Sequence, residues 1–509
     1  MSARDTASTG SGEKSGLSSK GLKAGSVGLV GAVVIGVSCI APAYTLTAGL
    51  GPTVSEVGVQ LPAIFLVGFI PMILVALGYR ELNNAMPDSG TSFTWATRAF
   101  GPWIGWMGGW GLIAATIIVL SNLAAVAVDF FYLMLAQVTG NDELADLAQN
   151  LPLNIATTLV FIAAACYISY RGIETTKMFQ YVLVAFQLLV LGWFSIAAFI
   201  HVGAGTAFDA TPITAEWFNP FAVESFSAFA AGVSLSIFVY WGWDVTLTMN
   251  EETKDPDKTP GRAATATVFV IVLIYMVVSL AVLSYAGVGG GELGAGNPEN
   301  QESIFAVLAG PVMGPFAILM SLSILSSSAA SLQSTFVSPA RTLLAMGHYR
   351  ALPKRFGSIS PVHKSPGYAT VAAAIAAAGF YVLTRLLSEN ALWDTITALG
   401  LMICFYYGIT ALACVWFFRN EAFSSVRSFL LKFLAPLAGG AILFVMFFKT
   451  AVDSMDPAYG SGSSIGGIGL VFILGTGVIL LGAVLMLLMY RRNPAFFRGD
   501  SLRKGTSED

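Results

Sequence analysis

Residues 226–263 read FSAFAAGVSLSIFVYWGWDVTLTMNEETKDPDKTPGRA. The stretch opens as an uncharged apolar run, carries Gly242 and Asp244 inside otherwise apolar sequence, and ends in a short segment of charge and proline. A carboxylate within a membrane span costs about 2.5–3.5 kcal/mol on insertion scales and usually faces a polar path or a partner. Two readings stand at this point. Either Asp244 caps a helix break or pairs with a neighbouring donor, or the break borders a substrate site in a transporter.

Composition sets the class. Of 509 residues, 55% are hydrophobic and 11% are charged, against about 25% charged in ordinary soluble proteins. Runs long enough to cross a bilayer recur along the whole chain. The sequence predicts twelve: 27–50, 61–79, 101–137, 151–169, 178–201, 226–250, 264–286, 312–345, 367–387, 391–418, 430–449 and 466–490. Backbone in lipid must satisfy its own hydrogen bonds, so these are helices. The third and eighth exceed the bilayer and should tilt or project beyond it. The expected fold class is an all-α polytopic membrane protein.

Charge placement gives an orientation. Twenty-four of the 26 Lys and Arg residues precede the first span, follow an even-numbered span or lie in the C-terminal tail; Arg385 and Lys449 are the exceptions. By the positive-inside rule both termini are then cytoplasmic. The net charge of -3 says nothing of partners, because it resides in loops. Residues 1–24 are rich in Ser, Gly and charge and read as a disordered tail rather than a signal peptide. Cys39, Cys166, Cys404 and Cys414 lie within apolar spans, so neither a disulfide framework nor a zinc site is expected. His201, His348 and His363 have no ligand spacing, and no phosphate-binding glycine loop is present. ATP-driven pumping and nucleic-acid binding are not expected.

Secondary transporters often place two interrupted helices at matching positions of inverted halves, with the site between the breaks. Five spans before the sixth, the first span reads GLVGAVVIGVSCIAPAYTLTAGLG. Its middle holds Gly36, Ser38, Cys39 and Ala41, then Pro42, which removes an intrahelical bond. Alone these are common packing features of membrane helices. Breaks in spans one and six together are more specific, and an odd number of spans per repeat forces opposite topology on the two halves.

These residues resemble the amino acid–polyamine–organocation permeases, and the resemblance runs from about residue 22 over nearly the whole chain. FVYWGWD (238–244) with NEETKDPDKTPGRA (250–263) is similar to that family's sixth span and following loop. SPARTLLAMGHYRALP (338–353) resembles its eighth-span exit, and RELNNAMPDSGTSFTWATRAFGPWIGWMGGW (80–110) its second-to-third-span loop. The resemblance implies a leucine-transporter-like fold with a 5+5 inverted repeat plus two helices. Residues 25–201 would form the first repeat, 202–425 the second, 426–490 the last two spans and 491–509 a cytoplasmic tail.

It also implies a site. Amides around Ile40, Ala41 and Ala43, with Ser38 and Cys39 beside them, would meet a carboxylate at a helix start. Carbonyls near Val239 and Tyr240, next to Gly242, would meet an ammonium group. Phe238 matches the family's gating aromatic and could cover a ligand, while Asp244 would stabilise the break and couple spans. Thr116 and Asn122, with Asp129 deeper in the same span, are further cavity candidates. Two departures stand out. The family's Gly-Ser-Gly-like step is here Ser38-Cys39-Ile40-Ala41, and the fifth-span lysine of some proton-coupled relatives is replaced by Gln187. Ser326 and Ser327 resemble the side-chain ligands of a sodium ion in distant relatives of the fold; the alternative is that they let helices pack closely. The coupling ion, H+ or Na+, stays open.

The expected function is secondary active transport of an amino acid or related amine across the plasma (inner) membrane by alternating access, with no covalent chemistry and no cofactor. A substrate-sensing transceptor of the same fold and a polyamine or amino acid exchanger are the alternatives. The lipid bilayer and a small-molecule substrate are the expected partners.

Overall fold

The computed structural model describes residues 20–172, 177–301, 303–387 and 391–505. Uninterrupted apolar sequence makes the elements helical, and proline and glycine set their ends. In chain order they are α1 (Leu29–Ile40), α2 (Pro42–Val57), α3 (Leu61–Ala85), α4 (Ser92–Phe100), α5 (Pro102–Thr139), α6 (Glu143–Asp146) and α7 (Leu151–Tyr170). There follow α8 (Lys177–Ala204), α9 (Phe226–Val239), α10 (Val245–Thr248), α11 (Thr259–Ala286), α12 (Ile304–Met313), α13 (Ala317–Thr335) and α14 (Val337–His348). The chain ends with α15 (Gly367–Leu387), α16 (Ala391–Phe417), α17 (Val426–Ser428), α18 (Ala435–Asp453), α19 (Leu470–Phe472), α20 (Val478–Arg492) and α21 (Pro494–Phe497). A two-residue hairpin, β1 (Ser464–Ile465) with β2 (Ile468–Gly469), turns through Gly466 and Gly467 at φ 62° and 81°. The last apolar run therefore starts as a hairpin and becomes helical at Leu470.

The sequence predicts twelve spans; ten helical stretches among the described residues are long and apolar enough to cross a membrane. The difference has two causes. Leu29–Ala85 forms one nearly continuous helical stretch of 57 residues. The sixth predicted span stops being helical at Val239, after 14 residues. The eighth, predicted over 312–345, turns at Gly314 (φ 56°), and α13 begins at Ala317.

Two helices form the centre. The apolar windows of α5 and α16 are 89% and 83% buried, against 22% for α7. A helix hydrophobic all round belongs inside a bundle, and α5 and α16 are such helices. At 38 residues α5 is about 57 Å long by the 1.5 Å rise, longer than a ~30 Å hydrocarbon core. Around this centre α7, α15, α18 and α20 present apolar side chains outward: Val160, Ile375, Phe448 and Leu480 are all exposed.

Both ends of the described chain pack on the bundle. Lys20, in the segment whose composition reads as a tail, is buried, because two carboxylates receive its ammonium. Near the other end Phe496 and Phe497 are buried, with Phe496 stacked on Phe93 at 5.3 Å between ring centroids.

Candidate functional site: two helix breaks in contact

The first break lies between α1 and α2. Pro42 has no N–H to continue α1, and Ala41 adopts φ 56°, ψ 70°, the left-handed region that an L-residue enters at a cost. The Ala41 carbonyl is nevertheless well supported. It accepts from Thr45 N at 2.9 Å and from Thr45 Oγ1 at 3.1 Å. The second break runs from Tyr240 to Asp244, where Gly242 takes φ 116°. A Cβ built on Gly242 would lie 3.2 Å from Ile40 N and 3.3 Å from Cys39 C. Glycine is needed here twice over, for its backbone angle and for this approach. The two breaks meet backbone to backbone.

Two tyrosines fasten them. Tyr275 Oη, from α11, donates to Val239 O at 2.6 Å and lies 2.6 Å from Thr45 Oγ1, so one hydroxyl touches both interrupted helices. On the other side Trp241 Nε1 donates to Tyr406 Oη at 2.5 Å, and Tyr406 Oη donates to Asp244 Oδ2 at 3.0 Å. Asp244 is 2% exposed. A buried carboxylate without a donor would carry its full desolvation cost, and α16 supplies that donor. Around it Trp243, Tyr79 and Tyr407 form an aromatic cluster with centroids 4.9–5.5 Å apart, in which Tyr79 meets the other two rings edge-on.

The residues expected at the site divide accordingly. Ser38, Cys39, Ile40, Ala41, Ala43, Phe238, Val239, Tyr240 and Gly242 are buried at or beside the paired breaks. Phe238 meets Tyr44 edge to face at 6.5 Å, and the Tyr44 hydroxyl is buried without a hydrogen-bond partner among the described residues. The Val239 carbonyl already accepts from Tyr275. The Tyr240 ring turns away onto Phe69 and Tyr275. Thr116 spends its hydroxyl on Leu112 O and Ile113 O of its own helix, and Ser326 on Ser323 O. Asn122 and Asp129 line a polar cavity near the far end of α5 together with Asn154, Tyr381, Arg385 and Thr395.

Polar groups also join α1, α8 and α13. Ser38 Oγ donates to Gln180 Oε1; Gln180 Nε2 donates to Gln333 Oε1 at 2.6 Å and to Ala330 O at 3.2 Å. One face along α8, seven residues on, Gln187 Oε1 accepts from Ser327 Oγ at 2.5 Å. Ser331 Oγ donates to Cys39 O at 2.7 Å, which ties α13 to the last turn of α1. Sequence reasoning missed Gln180, Ser331, Tyr275 and Tyr406. The two glutamines at i and i+7 in an apolar helix were a usable signal. A tyrosine in a span is too common to have been one.

The basic end of the bundle is closed by ion pairs. Lys20 Nζ meets Asp88 Oδ2 at 2.5 Å and Glu251 Oε1 at 2.6 Å. Arg341 holds Glu252 in bidentate fashion, at 2.5 and 2.9 Å. Ser26 N and Val27 N both donate to Glu252 O, at 2.8 and 3.1 Å. Asp88 also accepts from Thr94 Oγ1, Gly90 N and Tyr349 Oη. Burial works against the Asp88 carboxylate, but the Lys20 ammonium and these donors outweigh it and hold its pKa below the ordinary value. Burial likewise opposes the Lys20 charge, and Asp88 with Glu251 keeps its pKa above the ordinary value.

An amino acid permease family profile matches residues 26–479. The chain is 25% identical to the methylthioribose transporter of Bacillus subtilis over 68% of its own length and 72% of the relative's. It is 22% identical to the branched-chain amino acid permease BcaP of the same organism, over 67% and 69%. With the low-affinity putrescine importer PlaP of Escherichia coli it shares 21% identity over 84% and 89%. With most of its length matched and its helices apolar enough to cross a bilayer many times, the chain is a multi-pass membrane protein that belongs to the amino acid permease family of the amino acid–polyamine–organocation group.

Proposed function

We propose that this permease is a proton-coupled secondary transporter of a zwitterionic amino acid, working by alternating access with both termini cytoplasmic in a bacterial inner membrane. The observation that carries the reading is the backbone contact between the two breaks at Gly242 and Ile40. The start of α2 presents first-turn amides and the positive end of a helix dipole, while the end of α9 presents carbonyls and the negative end. A carboxylate suits the first and an ammonium the second, as in transporters built from interrupted helices. A diamine has no group for the amide end.

In this reading the protein makes twelve crossings as a 5+5 inverted repeat plus two. Fifty-seven helical residues from Leu29 to Ala85 would span about 86 Å, far more than one crossing, so the chain reverses near Gly58 (φ 56°). The broken α9–α10 unit then crosses as a single span. Proton coupling is supported by Asp244, the acid buried at the breaks, and by the hydroxyls of Ser326 and Ser327, each engaged with a protein acceptor.

Uptake of radiolabelled substrates into proteoliposomes tests the proposal. A panel of neutral, cationic and acidic amino acids, putrescine and methylthioribose is offered under imposed gradients. The expected result is concentrative uptake of a neutral amino acid driven by an inward proton gradient. Uptake of putrescine alone would refute the zwitterion assignment, and binding without flux would favour a sensor.

A further inference from the structure

Trp106, Trp110, Leu343, Phe356, Ala376 and Met489 are among the lining of an apolar groove of about 270 Å³ bounded by α5, α14, α15 and α20. Every side chain along it is apolar, and the only polar atoms, the two indole nitrogens, are spent on one wall. Trp106 Nε1 donates to Gly482 O at 3.2 Å and Trp110 Nε1 to Val478 O at 2.8 Å. A Cβ on Gly482 would lie 2.1 Å from Trp110 Cδ1, so glycine at this position admits the indole. These contacts pin α20 to α5 along one edge, while Ala372, Ala373 and Ala376 of α15 form a low floor opposite. The groove is therefore held open by side chains that are themselves anchored.

Its rim is basic. Phe356 of the groove sits in the turn Lys354–Gly357, which also carries exposed Lys354 and Arg355. Leu485 and Met489 of α20 are followed on the same helical face by Arg492, seven and three residues on, and Arg491 adjoins it; both arginines are exposed. Neither 343–357 nor 478–498 contains an acidic residue. An apolar groove with exposed Lys354 and Arg355 next to its Phe356, and exposed Arg492 one helical turn beyond its Met489, is complementary to one amphiphile above others, because basic pockets between membrane helices attract anionic headgroups.

We propose that this groove binds an acyl chain of an anionic phospholipid whose headgroup is held by Lys354, Arg355 and Arg492. The site joins α20 to the exit of α14, the helix whose Arg341 clamps Glu252, so an occupant would brace the closed basic end. Assignment to the cytoplasmic leaflet rests on the orientation proposed above; the binding itself does not.

The test uses the full-length protein, stripped of bound lipid, with dioleoyl-phosphatidylglycerol and dioleoyl-phosphatidylcholine added in equal amounts and adducts read by native mass spectrometry. Wild type should retain phosphatidylglycerol about tenfold over phosphatidylcholine. The variant K354Q/R355Q/R492Q should lose that preference, and Ala376→Phe, which fills the groove, should lose retention of both lipids. Equal retention of the two lipids by wild type overturns the proposal, as does an unchanged preference in the charge-neutral variant. The three neutralised positions are exposed, so that arm stands even where Ala376→Phe fails to fold. No transport is measured, so failure of the permease reading and failure of this one are separate outcomes.

Discussion

Gly242 faces the Ile40 amide nitrogen so closely that a Cβ at residue 242 would stand 3.2 Å from it, at a backbone φ of 116°. Contact and conformation exclude other side chains together. Forcing one in costs on the order of 1–3 kcal/mol of backbone strain and pushes the breaks apart. Gly242→Ala is therefore expected to lower uptake at least tenfold while membrane abundance stays near wild type. Normal uptake by a well-expressed variant would show that the breaks need not touch.

Tyr406 is expected to act with Asp244 as one unit. Tyr406→Phe keeps the ring and removes both the donor to Asp244 and the acceptor for Trp241. A hydrogen bond to a charged group is worth about 1.5–3 kcal/mol. Tyr406→Phe and Asp244→Asn should each reduce uptake about tenfold or more, and the double variant should be little worse than the more damaged single one. Additive losses in that cycle would assign the two residues to separate roles. Asp244→Ala should insert at least as well as wild type, since it removes a buried charge.

Phe238 lies edge-on to Tyr44 beside the Val239 carbonyl. A gate at this point needs an aromatic face more than a particular ring. Phe238→Trp should retain a large part of uptake, and Phe238→Ala should raise the apparent KM and slow turnover at unchanged protein yield. Equal loss of yield in both variants would make Phe238 a packing residue only.

The helical class was legible because uninterrupted apolar runs have one solution in lipid. The breaks were legible for the same reason turned round: Pro42 and Gly242 are the residues that cannot continue a helix unperturbed. The length of each span was less so. A hydropathy run does not register where backbone hydrogen bonding stops, so α9 ends at Val239 inside apolar sequence. The fastenings were not legible at all. Tyr275, Tyr406 and Ser331 lie 36 or more residues along the chain from the groups they bond, and only the packing of α11, α13 and α16 brings them there. Thr116 and Ser326 show the converse, since each hydroxyl satisfies its own helix, as such residues commonly do.

The Lys20–Asp88 pair sets a pH window. Asp88 has a depressed folded-state pKa, so its contribution is present above the unfolded value of ~3.9 and is lost as pH falls through the folded value. Lys20 has a raised one, so its contribution is present below the unfolded value of ~10.4 and is lost as pH rises through the folded value. Between about pH 7.5 and 9, above the range in which the neighbouring His348 titrates, the difference in thermal unfolding midpoint between wild type and Asp88→Asn should be flat, with wild type the more stable. A difference that swings within that window would show that another group titrates with the pair.

Ion coupling follows from which groups near the breaks can change charge. Gln180 and Gln187 cannot titrate, and they hold Ser38 and Ser327 in neutral hydrogen bonds between α1, α8 and α13. Ser331 binds the Cys39 carbonyl that a cation at the end of α1 would need. A hard cation such as sodium would have to draw these oxygens out of their present bonds, whereas a proton requires one carboxylate, and Asp244 lies at the break with Tyr406 as its donor. An inward proton gradient at equal sodium should therefore drive accumulation, and an inward sodium gradient at clamped equal pH should not. Asp244→Asn should abolish the proton-driven component while leaving counterflow of labelled for unlabelled substrate measurable. Accumulation under the sodium gradient, abolished by Ser327→Ala, would move the coupling site to α1 and α13. Counterflow that proceeds at the wild-type rate with neither gradient able to drive accumulation would make the protein an exchanger, with Asp244 holding the break and carrying no proton.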